Sequence, residues 1–504
     1  MAVALLLILL LLNLNSTHAL EKDIKANFHR LKHPQKVYGL YKIINFRCLW
    51  FCEGKWTYRF HIFERLLHEA FYHGLNPEDY MPANGVHPEI SVTDNLIKLS
   101  YHLYYGRVNP SKLYEGLSLP EKPDIVLEVL YRLIVEDRLE ELYRELSPHR
   151  SDYWSLLEAG KALSELSHFE WDVIKLSKPL MFGDRSPCVE RIAFRLFLLG
   201  DLKEYTPSDF FDEKILEAVK SFQRRHGLPE TGIIDKRTLQ ELNVSPSERL
   251  KTIHINLERH RWLPTEIKKA VMVNVPFFEL SLVREGKEVL SSKVVVGRNY
   301  IQDFRPTPML YSKIESITIN PKWYVPTSIS VKDILPKVKK NPEYLTKKGF
   351  KVYSDGVEVN PLEIDWSLYN EKNFSLRLVQ EAGPKNSLGR LKFNFPNPFA
   401  VYLHDTPEKH LFKHSKRAFS SGCIRVERAK ELAVTLLGNG WNFKKLNGLI
   451  AKGGTQTIPL REKMPVYLVY FTALEREGKL HFREDLYGYD KILTRAIFNS
   501  GGVK

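Results

Sequence analysis

The feature that most constrains the fold is a change in hydrophobic periodicity near residue 250. Before it, apolar residues recur at three-and-four spacing in the segments that begin at Leu127 and Leu139, which predicts helices. After it, residues 271–276 and 292–297 are rich in valine, which predicts strands. A chain of 504 residues is long enough for several domains. We therefore expect a multidomain α+β protein whose second part is a β-sandwich or a mixed β domain.

The N-terminus carries an apolar run over residues 2–12, followed by the small-residue pattern Thr17-x-Ala19. This run is too short to span a bilayer, but it fits the apolar region of a signal peptide. We predict a signal peptide over residues 1–19 and export to the periplasm. No lysine or arginine precedes the run, so an uncleaved membrane anchor is the alternative.

The formal charge of +14 favours a polyanionic partner, such as a nucleic acid, an acidic lipid or an anionic cell-wall polymer. No zinc-finger spacing or RNA-binding motif accompanies the charge, which argues against nucleic acid. The chain has four cysteines, too few for a disulfide scaffold. Cys48 and Cys52 are four residues apart, and we predict a local disulfide between them, with two buried thiols as the alternative.

Two regions precede the β-rich part: a helical scaffold over residues 20–178 and a small unit over residues 181–245. In the small unit, Gly227 ends one helix and Asp235 is the predicted N-cap of the next. This unit resembles the peptidoglycan-binding domain 1 family, a three-helix module. The alternative is a spacer that no longer binds the wall. An apolar stripe marks its first predicted helix: Ile215, Ala218, Val219 and Phe222.

His68 and His73 nearly reproduce the zinc-protease motif, with Glu69 between them. That motif requires histidines at i and i+4 on one helix face. Here they are at i and i+5, about 140° apart on a helix that turns about 100° per residue. We therefore predict an ordinary helix at this point and no metal site.

The segment from His404 to Arg425 carries the chemistry. Cys423 follows Gly422, which permits a tight turn and close approach of a substrate. A thiol nucleophile needs a base or a cation beside it, and His404 ends a strand-like run over residues 400–404. In an extended segment, alternation places Cys423 and Arg425 on the same side, so Arg425 is expected to lower the thiol pKa or hold a carboxylate.

These residues together resemble the catalytic domain of the L,D-transpeptidase (YkuD-type) family. The family pattern is a histidine followed by Ser-x-Gly-Cys-x-Arg, present here as His404 and Ser420-Ser421-Gly422-Cys423-Ile424-Arg425. The resemblance extends to the YcbB-like large periplasmic subgroup. It is carried by three further motifs: NPKWYVP at residues 320–326, GPKNSLGRLKF at residues 383–393 and YLHDTP at residues 402–407.

The resemblance implies a catalytic domain over residues 250–470 and a C-terminal extension over 471–504. A lysine-rich, partly helical stretch over residues 326–365 reads as an insertion, and insertions of this length are often lids. The alternative is an insertion that takes no part in the reaction.

The resemblance also implies a mechanism that uses no metal and no cofactor. Cys423 attacks the carbonyl of the third stem residue of a peptidoglycan tetrapeptide, a meso-diaminopimelate, at its bond to the terminal D-Ala. D-Ala leaves, and the thioester is transferred to the side-chain amine of a neighbouring diaminopimelate, giving a 3→3 cross-link. His404 is the general base, backbone N–H groups near Gly422 and Cys423 form the oxyanion hole, and Arg425 orients the site. Three residues are expected to line the substrate groove: Ser421, Tyr402 and Trp323.

The expected partners are peptidoglycan stem peptides as donor and acceptor, and other cell-wall enzymes are further candidates. An L,D-carboxypeptidase, in which water replaces the amine, is the alternative activity. A non-catalytic wall-binding scaffold is the alternative class, although Cys423 and His404 are both present. A papain-like protease is disfavoured because its cysteine comes before its histidine in sequence.

Overall fold

The computed structural model describes residues 19–82 and 84–498. The predicted signal peptide therefore lies outside the described residues, apart from Ala19. Among the described helices, none is long and apolar enough to cross a lipid bilayer.

The N-terminal region is helical, as predicted, and has its own hydrophobic core. The helix Tyr58–Tyr72 contains His68, and His73 follows it, buried against the hydroxyl of Tyr153 at 2.7 Å. The predicted ordinary helix is thus confirmed. The principal helices are residues 19–26, Pro34–Ile43, Tyr58–Tyr72, Pro88–Tyr105, Val126–Val135, Leu142–Leu146 and Ser151–Ser164.

The predicted disulfide between Cys48 and Cys52 is present, with the two Cα atoms 5.7 Å apart. The loop that it closes is also held by the buried carboxylate of Glu89, which accepts hydrogen bonds from the backbone N–H groups of Leu49, Trp50 and Phe51. Covalent and polar contacts therefore fix the same short loop.

The small helical module contains the helices Pro187–Leu198, Glu213–Arg225 and Lys236–Leu242. The predicted apolar stripe from Ile215 to Phe222 lies on the second of these helices, Glu213–Arg225, and is buried. Asp235 is the N-cap of the third helix, because its carboxylate accepts a hydrogen bond from the N–H of Thr238 at 2.8 Å. These features confirm the predicted module.

The boundary at residue 250 differs from the expected change to β structure, because the helix Pro246–Arg261 crosses it. Ser245 and Glu248 form a reciprocal capping box at its start. Ile253 and Leu257, four residues apart on one face, pack against the scaffold helix Ser151–Ser164. Local capping and contacts with the scaffold thus extend helix beyond the point where periodicity alone placed its end.

The catalytic region is built on a nine-stranded mixed sheet, the second of the two predicted arrangements. The sheet closes on itself, because Glu279–Arg284 pairs with both Lys269–Asn274 and Lys287–Gly297. Its interior is the largest hydrophobic core of the described residues. In spatial order the strands are Ala418–Ser420, Lys287–Gly297, Ile424–Val426, Leu403–His404, Leu391–Asn394, Leu310–Ile319, Gln456–Val469, Lys269–Asn274 and Glu279–Arg284.

The predicted strand over residues 400–404 is shorter in the structure, where only Leu403–His404 is paired. Ala400 has a positive φ of 52°. The side chain of Asn397 bonds the backbone N–H and C=O of Val401 at 3.1 and 2.8 Å. A side-chain amide therefore takes the place of a neighbouring strand here.

The insertion is a separate unit with its own core, which includes Val338, Leu345 and Trp366. It is larger than the predicted 326–365, because strands on both sides of that range close its sheet. The four strands are Trp323–Tyr324, Phe350–Ser354, Val357–Val359 and Arg377–Gln380. The helical segments Thr327–Ile329, Ser330–Ile334, Leu335–Lys340 and Tyr344–Lys347 lie between the first two strands.

The C-terminal segment, expected as an extension, is integrated into the rest of the molecule. The hairpin Ala473–Arg476 and Lys479–Phe482 contributes to the core shared with scaffold residues. The helix Tyr489–Phe498 packs Leu493 and Ile497 into the core of the catalytic region. The helices Ala429–Leu437 and Phe443–Lys452 pack on the same core.

Candidate active site

Two short parallel strands position the predicted catalytic residues. Leu403 pairs with Ile424, and both side chains are fully buried in the core. Because side chains alternate along a strand, the next residues on either side project to the opposite face. That face lines one cavity, and four of the predicted site residues lie on it: Tyr402, His404, Cys423 and Arg425.

The cavity has a volume of about 1210 Å³, and several parts of the chain form its walls. The scaffold contributes Tyr114 and the C-terminal helix contributes Ile492. The insertion contributes a whole wall, which includes Trp323 and Asp333. The remaining predicted site residues, Ser421 and Gly422, also line it, so the structure brings all seven predicted residues to one site.

The thiol of Cys423 is half-buried at the turn that precedes the strand Ile424–Val426. Burial raises its pKa above the ordinary value, and contacts with Tyr402, Lys392 and Arg425 oppose that shift without reversing it. We expected Arg425 to lower the thiol pKa, and it does act in that direction, but burial is the larger effect. The resting cysteine is therefore a thiol.

His404 is oriented by a hydrogen bond from its Nδ1 to the backbone carbonyl oxygen of Asp405, at 2.5 Å. A carbonyl only accepts, so the proton is on Nδ1, and in the neutral ring the lone pair is on Nε2. Burial, followed by the positive charge of Arg425, lowers the pKa of His404 to about 3. The ring is thus a neutral base at physiological pH.

Asp405 holds this arrangement in place, and the sequence did not single it out. Its carboxylate accepts hydrogen bonds from the N–H of Arg390 at 2.9 Å and from Nζ of Lys409 at 2.6 Å. Gly389 approaches so closely that a Cβ there would lie 2.5 Å from the Asp405 carboxylate. The one local signal for this role is its position directly after His404.

The turn before Cys423 distinguishes the two expected oxyanion donors, the N–H groups of Gly422 and Cys423. The N–H of Gly422 donates to Oγ of Ser420 at 3.1 Å, so this donor is already engaged. The Gly422 carbonyl accepts from Thr307 at 2.8 Å, and its φ of +113° suits glycine. Among the described residues, the N–H of Cys423 meets no acceptor, which makes it the available donor at this turn.

Lys392 is a second residue that sequence reasoning missed. It pairs with His404 across antiparallel strands, and its Nζ lies 4.2 Å from the centre of the Tyr402 ring. Its positive charge lowers the pKa of Cys423, although less than burial raises it. Its sequence signals are the motif at residues 383–393, which contains it, and its alternation with buried residues in the strand Leu391–Asn394.

The other predicted residues are held by an ion pair, a hydrogen bond or aromatic contacts. Arg425 forms an ion pair with Glu408. Ser421 accepts a hydrogen bond from Arg298 at 2.7 Å. The Tyr402 ring lies edge-on to His404, with centroids 5.7 Å apart, and Trp323 is half-buried in the insertion.

Comparisons with known proteins give matches to three regions of the chain. The family model "L,D-transpeptidase catalytic domain" (YkuD) matches residues 268–465. A "Scaffold domain" model matches residues 35–159, and a "Putative peptidoglycan binding domain" model matches residues 195–242. These matches cover the three regions that the structure separates.

A Haemophilus influenzae protein named "Putative L,D-transpeptidase" is 37% identical over 269 residues, which is 53% of this chain and 53% of that protein. The chain thus spans about half the length of this curated relative. Among solved structures, an L,D-transpeptidase from Xylanimonas cellulosilytica shows 14% identity and a TM-score of 0.20, over 59% of this chain and all of the other. One from Stackebrandtia nassauensis shows 16% identity and a TM-score of 0.23, over 60% and 100%.

Proposed function

We propose that this chain forms 3→3 cross-links between peptidoglycan stem peptides. Its residues match the models of a YkuD L,D-transpeptidase catalytic domain, a scaffold domain and a putative peptidoglycan-binding domain. The observation that carries the proposal is the placement of Cys423 and a neutral His404 on one face of adjacent parallel strands, at one cavity. A thiol and a neutral imidazole are the pair that thiol acyl transfer requires.

Acylation begins with the thiol form of Cys423. His404 Nε2 takes the Sγ proton while Sγ bonds to the carbonyl carbon of the third stem residue. The C–N bond to D-Ala then breaks, and His404 returns the proton to the departing amine. The thioester remains on Cys423 and the imidazole is neutral again.

The oxyanion of each tetrahedral intermediate needs a hydrogen-bond donor. The Cys423 N–H, which has no acceptor among the described residues, is the donor we assign. Gly422 shapes the turn that presents it, with its own N–H held by Ser420. Of the two expected donors, this assignment retains the Cys423 N–H and gives Gly422 the role of shaping the turn.

Transfer uses the same groups in reverse. The side-chain amine of a second stem attacks the thioester, His404 takes the amine proton, and the C–S bond breaks as Cys423 recovers a proton. Transfer exceeds hydrolysis only when the acceptor is held in place, because ordered geometry supplies effective molarities of about 10⁵ M or more. The cavity is larger than most single-ligand pockets, which supports two bound stems.

The charge of the cavity supports an anionic substrate. Seven lysines and arginines line it, against three acidic residues, and two of those three acids are already paired with arginine. Stem peptides carry several carboxylates. The helical module then holds the enzyme at the wall, outside the cytoplasmic membrane, where other cell-wall enzymes are candidate partners.

The deciding experiment supplies purified enzyme with disaccharide-tetrapeptide and analyses the products by mass spectrometry. The proposal expects released D-Ala and 3→3 dimers. Pentapeptide donors should fail, because their scissile bond lies one residue further along. If saturating acceptor gives tripeptide and no dimers, the activity is that of an L,D-carboxypeptidase and not of a transpeptidase. If no stem peptide is turned over, the alternative of a non-catalytic wall-binding protein holds.

A further inference from the structure

A cluster of two arginines and two aspartates lies beside Cys423 and has no role in the steps above. Arg298 and Arg305 flank a short hairpin, Asn299–Tyr300 and Asp303–Phe304. Both arginines donate to Oγ of Ser421, at 2.7 and 3.1 Å. Because Ser421 is two residues before Cys423, this contact fixes the guanidinium groups next to the reacting sulfur.

Different nitrogens of each guanidinium group bind different residues of the cluster. Asp303, from the same hairpin, accepts from Arg298 Nη1 at 2.8 Å and from Arg305 Nε at 2.5 Å. The outer edge of Arg305 is bound by a different residue. Its Nη1 and Nη2 donate to the two carboxylate oxygens of Asp333, at 2.7 and 2.8 Å.

Asp333 belongs to the insertion, not to the sheet that carries Cys423. It lies in the π-helical turn Ser330–Ile334, and the next residues, Ile334 and Leu335, pack into the insertion's own core. The fork of Arg305 is therefore fixed by its own hairpin, while its bidentate carboxylate partner arrives from a separate unit. Without Asp333, Nη1 and Nη2 of Arg305 would be open to the cavity that this arginine lines.

We propose that Arg298 and Arg305 form the carboxylate subsite for the stem peptide beside the scissile bond, and that Asp333 occupies this subsite when no peptide is bound. This rests on the proposed function for the identity of the substrate. Arginine forks bind carboxylates with two parallel hydrogen bonds, which is the geometry that Asp333 already shows. Substrate binding thus exchanges an internal carboxylate for the peptide's carboxylate.

The exchange couples binding of the peptide carboxylate to the contact between the sheet domain and the insertion. Arg305 and Asp333 form the strongest ion pair between the sheet domain and the insertion within this cluster, since Arg298 lies 3.8 Å from Asp333. A peptide carboxylate on Arg305 releases Asp333, and with it the contact that holds this side of the insertion. Two carboxylates belong to the residues that the scissile bond joins: that of diaminopimelate and that of terminal D-Ala.

The test measures binding by calorimetry with the full chain carrying Cys423→Ala, so turnover is not needed. Three probes are compared: disaccharide-tetrapeptide, the same compound amidated on the diaminopimelate carboxylate, and the same compound amidated on terminal D-Ala. The variants are Arg305→Gln, Arg305→Lys, Arg298→Gln and Asp333→Asn. The matched controls are Arg59→Gln and Asp137→Asn, which disrupt an arginine–aspartate pair in the scaffold.

We expect Arg305→Gln to weaken binding of the free-carboxylate peptide by roughly tenfold or more, as for the loss of a bidentate charged contact. This loss should vanish for one of the two amides, which identifies the carboxylate. Arg305→Lys should recover only part of the affinity. Asp333→Asn should tighten binding, because the internal competitor is gone, and the scaffold controls should bind as the parent does.

Equal losses for all three peptides, or no loss, would overturn the subsite, and weaker binding by Asp333→Asn would overturn the exchange. Thermal unfolding of each variant separates a lost contact from a lost fold. If the wild-type enzyme makes no dimers, the proposed function fails, whereas the comparison of free and amidated peptides still decides the subsite.

Discussion

His404 lies directly opposite Arg425 in adjacent parallel strands, and both side chains face the cavity that contains Cys423. The proximity of this fixed cation, together with burial, keeps His404 neutral. Arg425 is in turn held by Glu408. One strand pair therefore sets both the position of the base and its protonation state.

The first prediction concerns the reacting pair. Cys423→Ala should abolish turnover and leave the melting temperature nearly unchanged. His404→Ala should lower kcat/KM by about 10²–10⁴-fold, the usual contribution of a general base. Release of D-Ala from disaccharide-tetrapeptide measures both. Full activity of Cys423→Ala would refute the nucleophile, and an unchanged rate for His404→Ala would refute the base.

The second prediction concerns the thiol pKa. Burial raises it, so the rate of Cys423 alkylation should keep rising above the ordinary thiol pKa of about 8.5, without a plateau near neutral pH. Lys392→Met removes an opposing charge and should move the alkylation profile to higher pH. The control Lys351→Met alters a lysine paired with Glu358 on the insertion.

A plateau below pH 8 would show a preformed thiolate and contradict this account. If the alkylation profiles of Lys392→Met and the control are the same, Lys392 does not influence the thiol of Cys423. Cys188→Ser in every variant leaves Cys423 as the only free cysteine among the described residues, so the signal reports on Cys423 alone.

The third prediction treats the insertion as a lid. Trp323 pairs with Gln380 and Tyr324 with Val379, so the two ends of the insertion are adjacent antiparallel strands. A short glycine-containing turn can therefore replace residues 326–377. Because lids exclude water, this deletion should raise hydrolysis relative to cross-linking. The ratio of tripeptide to dimer measures the effect, and an unchanged ratio would reject the lid.

The fourth prediction concerns acid stability. Burial lowers the pKa of His102, His254 and His260 to about 3, well below the ordinary 6.5. A lowered folded pKa contributes stability that is complete above pH 6.5 and lost as pH falls towards 3. At pH 5 each histidine removes about 2 kcal/mol from the free energy of unfolding.

These histidines pack where the scaffold meets the helix Pro246–Arg261, so a steep fall in melting temperature between pH 6.5 and 4 is expected. His254→Gln should reduce the steepness of that fall, whereas His61→Gln, on an exposed helix position, should not. A melting temperature that is flat over this range would contradict the prediction.

The sequence by itself determined features that depend on near neighbours. The stripe from Ile215 to Phe222 and the Asp235 cap are set within one or two helical turns, and both are confirmed. The common face of Cys423 and Arg425 follows from alternation along one short strand. Such features depend on residues a few positions apart, which a pattern records directly.

Only the tertiary structure decided which distant groups meet and how buried they are. Parallel pairing brings His404 to the strand that follows Cys423, antiparallel pairing adds Lys392, and the insertion places Asp333 on Arg305. Burial then reversed the expected direction of the thiol pKa. Desolvation and ion pairing depend on atoms far apart in the chain, so they are fixed by packing and not by local sequence.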